Sequence, residues 1–207
     1  MNTNNCIKEI NKVFLQEIIT VEITKYDETN SKYLSYLFYT KDGVYIGELS
    51  TKDFTEHEYK KILERIGGKI VYKNNYYELI DGNIIKTHDR KFDILLPILN
   101  KNSNNNFTIA YNLGHIFLHM GYRTDFLLWN KIIIDKQYKF ISSRQEKQSE
   151  YFALSLLMPK NIFLKIFYKY SDDDMVDMTE VANYFNVSIS QSRRRASFLG
   201  LIKGNVK

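Results

Sequence analysis

The chain has 207 residues, 44% of them hydrophobic, and carries 29 Lys and Arg against 24 Asp and Glu for a net charge of +5. That is enough apolar material for one large packed domain or two small ones, and the modest basic excess permits an acidic partner without being a nucleic-acid signature in itself. The single Cys6 excludes an internal disulfide and a thiolate metal cage, no run of about 18 apolar residues could span a bilayer, and the polar start MNTNNCIKEINK lacks the regions of a secretory signal. A cytoplasmic protein without a membrane partner is therefore expected.

In chain order, YLSYLFYTKDGVYIGEL over 33–49 alternates apolar and polar residues around Asp42 and Gly43 and predicts a β-hairpin with a tight turn. STKDFTEHEYKKILERIGG predicts a helix: Thr51 or Thr55 can cap it, Tyr59, Ile62, Leu63 and Ile66 form an apolar stripe, and Gly67 and Gly68 end it. More short strands follow, with a second turn at Asp81 and Gly82 and a last strand ending near Pro97. KNSNNN at 101–106 is a polar connector. From Phe107 the apolar residues Ala110, Leu113, Phe117 and Met120 recur at helical spacing, with Gly121 as the stop.

LLWNKIIIDKQYKFISS predicts a strand pair or a strand and loop. The segment from Ser143 to Tyr170 is helical in pattern and broken at Pro159, because proline offers no donor and forces its predecessor out of helical geometry. Phe163, Phe167, Tyr168 and Tyr170 fall on one helix face there and predict core. The last unit, 178–202, predicts two short helices around Asn186, Val187 and Ser188, in the manner of a helix-turn-helix, with Arg193, Arg194 and Arg195 on the second. Ser192 and Ala196 stand where larger apolar residues are expected, which weakens packing on one face or frees it for a partner.

The stretch FTIAYNLGHIFLH, 107–119, carries the surroundings of H-E-x-x-H, a helical motif in which two histidines one turn apart hold zinc and the glutamate activates water. Tyr111 stands in place of the first histidine and Asn112 in place of the glutamate; His115 is the second histidine. A phenol with a reference pKa near ~10 is a reluctant ligand, and an amide has no proton-accepting capacity near neutral pH.

With FALSLLMP at 152–159 and VANYFNVS…LGLI near the end, this stretch resembles the ImmA/IrrE family of zinc-dependent peptidases over roughly residues 92–202. The resemblance implies an α+β protein: a zincin-like helical domain at 92–207, including a helix-turn-helix-like pair at 178–202, after a hairpin-rich region 1–91 of unassigned role. It also implies that the ligand positions fall on Tyr111, His115 and Gln148 and the base position on Asn112, so that no catalytic residue remains. No cofactor is expected; the alternative is zinc held by His115, His119 and a Glu146 or Glu150 shifted in register. A hydrogen bond between Tyr111 and Gln148 is expected to replace the coordination bond.

Family members commonly cleave repressors on mobile elements. The function implied is that of a catalytically silent relative that binds another protein, a repressor or similar regulatory factor in a phage or mobile-element setting, through a groove lined by Tyr111, Asn112, His115 and Gln148. Two alternatives stand beside it: an active zinc endopeptidase, and a DNA-binding regulator that contacts nucleic acid through Arg193, Arg194 and Arg195.

Overall fold

The computed structural model describes residues 19–26, 34–40 and 45–50 as backbone and most of residues 60–202, leaving aside 62, 65, 75–83, 99–104, 123–124, 139–141 and 173–174. The first three segments form an antiparallel sheet, β1 (Ile19–Tyr26), β2 (Leu34–Thr40) and β3 (Tyr45–Ser50), in the order β1-β2-β3. β2 and β3 are the expected hairpin, with Phe38 opposite Gly47 and a register shift at Tyr39. The turns expected at Asp42–Gly43 and Asp81–Gly82 and the caps Thr51 and Thr55 lie outside the described residues. β1, ITVEITKY, alternates apolar and polar residues as a strand should.

The expected first helix is present where described, with Lys60, Lys61, Leu63 and Glu64 helical and Leu63 and Ile66 wholly buried. It stops at Gly67, whose φ of +84° suits glycine, and a Cβ there would lie 2.1 Å from the carbonyl oxygen of Arg90. A second sheet follows, β4 (Gly68–Lys73), β5 (Ile84–His88) and β6 (Lys91–Pro97). β6 lies in the middle, parallel to β4 and antiparallel to β5. Its central position explains its nearly continuous apolar run: Phe92, Ile94, Leu95 and Leu96 are all buried.

Six helices complete the described chain: α1 (Asn106–Leu118), α2 (Phe126–Lys131), α3 (Ser143–Leu157), α4 (Lys160–Lys169), α5 (Met178–Phe185) and α6 (Ile189–Phe198). Between α4 and α5, β7 (Ser171–Asp172) and β8 (Met175–Val176) make a two-residue ladder. α1 is buried almost all round, through Ile109, Ala110, Leu113, Ile116 and Phe117, each contributing on the order of 1.5–3 kcal/mol for the larger side chains. One buried cluster runs from Leu63 in the first helix to Ala196 in α6.

The segment after Gly121 departs from the sequence expectation. LLWN is helical, not a strand, because Asp125 caps the turn by accepting a hydrogen bond from Leu128 N–H at 2.9 Å and Trp129 is driven into the core. The residues after it form a loop that lies along the outer edge of β5, where Asp135 N–H donates to Lys86 O and Tyr138 N–H to Ile84 O, both at 2.8 Å. Among the described residues a single bridge, Gln137 to Ile85, represents the expected pairing.

The C-terminal half follows its sequence signals closely. Ser142 caps α3, and α3 ends at Met158 immediately before Pro159, which opens α4. Phe163 and Phe167 are core as expected, while Tyr168 faces outward and is 64% exposed. Asn186 takes the left-handed conformation at the end of α5, and Ser188 with Gln191 forms a reciprocal capping box that starts α6. Ser192 and Ala196 are both wholly buried, so the small residues admit close packing of α6 and do not leave a vacant face.

Candidate functional site

α1 and α3 meet most closely at Gly114. A Cβ at that position would lie 3.0 Å from Ser149 Cα and 3.2 Å from the Phe152 ring, so any larger residue would push the neighbouring groups back by a few tenths of an ångström. The close approach brings the residues of α1 at four-residue spacing to face α3. Phe107, Tyr111, His115 and His119 stack up that line, with successive ring centroids 6.2, 4.8 and 5.1 Å apart.

Polar chemistry in this ladder is directional. His119 Nε2 lies 3.0 Å from Gln148 Oε1, and a carboxamide oxygen only accepts, so Nε2 carries the proton. Neutral His119 then accepts at Nδ1, where His115 Nδ1 donates at 3.1 Å; Ser149 Oγ lies 3.5 Å from the same atom. His115 is thereby fixed as the Nδ1–H tautomer, with its lone pair on Nε2. The partner of Gln148 is thus His119, in place of the Tyr111 contact expected from the sequence.

Burial sets the protonation states of all three rings. Desolvation, aided by the neighbouring His119, pushes the His115 pKa down to about 3. Desolvation likewise lowers His119, against a smaller opposing effect of its bond to Gln148. Tyr111 is pushed up to about 12, first by burial and then by the charges of Glu146 and Glu150, so it stays a phenol. The base position is occupied by Asn112, wholly buried, whose Nδ2 donates back to Thr108 O at 2.7 Å; its Oδ1 is buried with no hydrogen-bond partner among the described residues.

The sign of the pH dependence follows. His115 has a folded pKa below the unfolded value near ~6.5, so the unfolded chain binds its proton more tightly, and the resulting stability is complete above that value and is lost as pH falls towards 3. Between pH 7.5 and pH 5 the loss ascribable to this ring is on the order of 2 kcal/mol at ~1.36 kcal/mol per pH unit. Urea midpoints at the two pH values check it: the gap should narrow by about that amount in His115→Phe, and an unchanged gap would contradict the buried neutral ring. His119 acts in the same direction.

The remaining sequence-predicted residues are dispersed. Glu150 forms a close ion pair with Arg194, and Glu146 is exposed. No group of three or more His, Cys, Asp or Glu side chains suited to a metal ion occurs among the described residues. The three arginines do not share a surface. Arg193 is exposed, Arg194 is engaged by Glu150, and Arg195 is wholly buried, donating to Met158 O at 2.8 Å and Ser155 Oγ at 3.0 Å. Two residues carry more than the sequence reading gave them: His119, which links the helices, and Lys86, buried on β5. For Lys86 a signal exists, since strand alternation puts it on the same face as the core residue Ile84.

The sequence profile of the IrrE N-terminal-like domain, a peptidase family, matches residues 80–197, more than half of the chain. The chain belongs to that family. No curated protein and no solved structure matches it significantly. The matched span begins just before β5 and ends in α6, so it contains both helices of the ladder and the closing helix pair. An α+β fold with a zincin-like helical domain agrees with that membership. None of the described helices is long and apolar enough to cross a membrane.

Proposed function

We propose that this IrrE-like chain is a pseudo-peptidase, a cytoplasmic regulatory factor that binds another protein without cutting it, in a phage or mobile-element setting where its relatives meet repressors. The observation that carries the reading is the donor set between α1 and α3. A catalytic zinc takes three good donors and leaves one position open. Here Tyr111 is held as a phenol, Gln148 is a neutral amide already bound to His119, and the Nδ1 lone pair of His119 is occupied by His115. That leaves the Nε2 of His115 as the one well-disposed nitrogen, too little for zinc. Asn112 removes the base independently, because a carboxamide cannot take a proton from water near neutral pH.

What survives is a recognition surface. Asn112 and His115 are sealed inside, whereas Tyr111 and Gln148 are partly exposed and form the rim that a bound peptide would touch. The experiment is to saturate the purified protein with zinc, desalt it, and measure both retained metal and the fate of a captured host protein. The expected result is far less than one equivalent of zinc and an intact captured partner, whose retention falls at least tenfold in a Tyr111→Ala, Gln148→Ala double variant, as for loss of an interface anchor. About one equivalent of retained zinc with a cleaved partner would establish the peptidase reading instead.

A further inference from the structure

A second site lies on other elements. β5, α2 and the loop after it enclose an open cleft of about 580 Å³, within the range of small-molecule sites. Lys86, 2% exposed, is among the residues that line it. Its ammonium donates to Trp129 O at 3.0 Å and lies 5.1 Å from the centre of the Trp129 ring. An ammonium has three protons to give, and the Trp129 carbonyl is its one hydrogen-bond acceptor among the described residues. A buried cation so sparingly compensated is costly unless an anion completes it.

The walls specify the rest of the ligand. Phe126, Ile133 and Ile134 line the same cleft and are 74%, 61% and 45% exposed, so large apolar surfaces are held open to water in the cleft that Lys86 also lines. The loop bearing the isoleucines is pinned to β5 by the backbone bonds from Asp135 and Tyr138, which makes the mouth preformed. Asp89 and Asn130 complete the polar lining. The Asp89 carboxylate adds negative charge to the same lining, so its repulsion grows with ligand charge and a singly charged acid is favoured over phosphate and dicarboxylates.

We propose that this cleft binds a monocarboxylate with an apolar body, its carboxylate on Lys86 and its aliphatic part against Phe126, Ile133 and Ile134. The carboxylate can be that of a small free acid or the C-terminus of a chain ending in an aliphatic residue. Trp129 is the only tryptophan in the protein, so its emission reports directly on the surroundings of Lys86.

The test titrates the full chain with 4-methylpentanoate and with acetyl-Leu-Leu, following binding by ligand-observed NMR and location by Trp129 emission. 4-Methylpentanol and the amide of acetyl-Leu-Leu serve as uncharged controls. Saturable binding of either acid with a change in emission is expected, the controls being at least about tenfold weaker for want of a charge-assisted bond. Which acid binds tells the free acid from the chain terminus. Lys86→Met should cost at least tenfold and Lys86→Arg should recover part of it, while the exposed Ile133→Glu should weaken binding without disturbing the fold. The proposal is overturned if neither acid binds in the millimolar range, if the alcohol binds as well as the acid, or if Lys86→Met, folded by circular dichroism, binds unchanged.

Discussion

A triple variant, Tyr111→His, Asn112→Glu and Gln148→Glu, is expected to gain about one equivalent of tightly held zinc, as a single-metal site requires, where the natural chain retains far less. The pairing of the two helices favours this outcome. Gly114 holds α1 against Ser149 of α3, and positions 111 and 115 lie one helical turn apart on the side facing Gln148. His115 is also in the right tautomer, since its Nδ1 proton is given to His119 and its Nε2 lone pair is the one a metal would use. His119 would keep a purpose: its Nε2–H, which now meets the Gln148 oxygen, would meet a carboxylate and orient it as an outer-shell donor. At free zinc about a thousand times the dissociation constant, the variant should be stabilised by about 4 kcal/mol, reversibly by chelator. Elemental analysis and melting with and without chelator measure both effects. A variant that folds normally and binds no zinc would show that the helices do not carry the family's metal geometry.

What the sequence revealed here was unequal, and the reasons are local. The proline break at Pro159, the helix junction around Asn186 and the cap at Ser188 are decided by a few neighbouring residues and are legible in the sequence; the cap at Ser142 and the left-handed conformation of Asn186 emerge only in the structure. LLWNKIII predicts a strand because its apolar density suits one equally well; Asp125 and the burial of Trp129 tip its start to a helical turn, and burial depends on distant partners such as Tyr122 and the Asp89 carbonyl. The same holds for the candidate site. The positions Tyr111, Asn112, His115 and Gln148 follow from motif spacing, but their pairing does not, because His119 outcompetes Tyr111 for Gln148 only once α1 and α3 are laid together.

Arg195→Ala is expected to cost about 3–4 kcal/mol, although this arginine sits in a run that reads as a nucleic-acid contact. Its guanidinium donates to the carbonyl of Met158, the residue that ends α3, and to Ser155 Oγ one turn earlier, and lies 5.8 Å from the centre of the Tyr151 ring. The last carbonyls of a helix lack partners within it and sit at the negative end of its dipole, so a buried cation there both satisfies and neutralises them. Pro159 follows at once, and Arg195 therefore fastens α6 across the joint between α3 and α4. For a chain of this size the loss corresponds to a fall in Tm of roughly 10 °C. Arg195→Met should recover part of it by restoring the apolar stem without the donors. Arg193→Glu, on the exposed side, should move Tm by no more than about 2 °C. The contrast decides how the nucleic-acid reading must be tested: reversing all three charges would abolish any activity by unfolding α6, whereas Arg193→Glu alone leaves the fold intact. A melting temperature unchanged in Arg195→Ala would sink the assignment of this side chain as a clasp and return all three arginines to the surface.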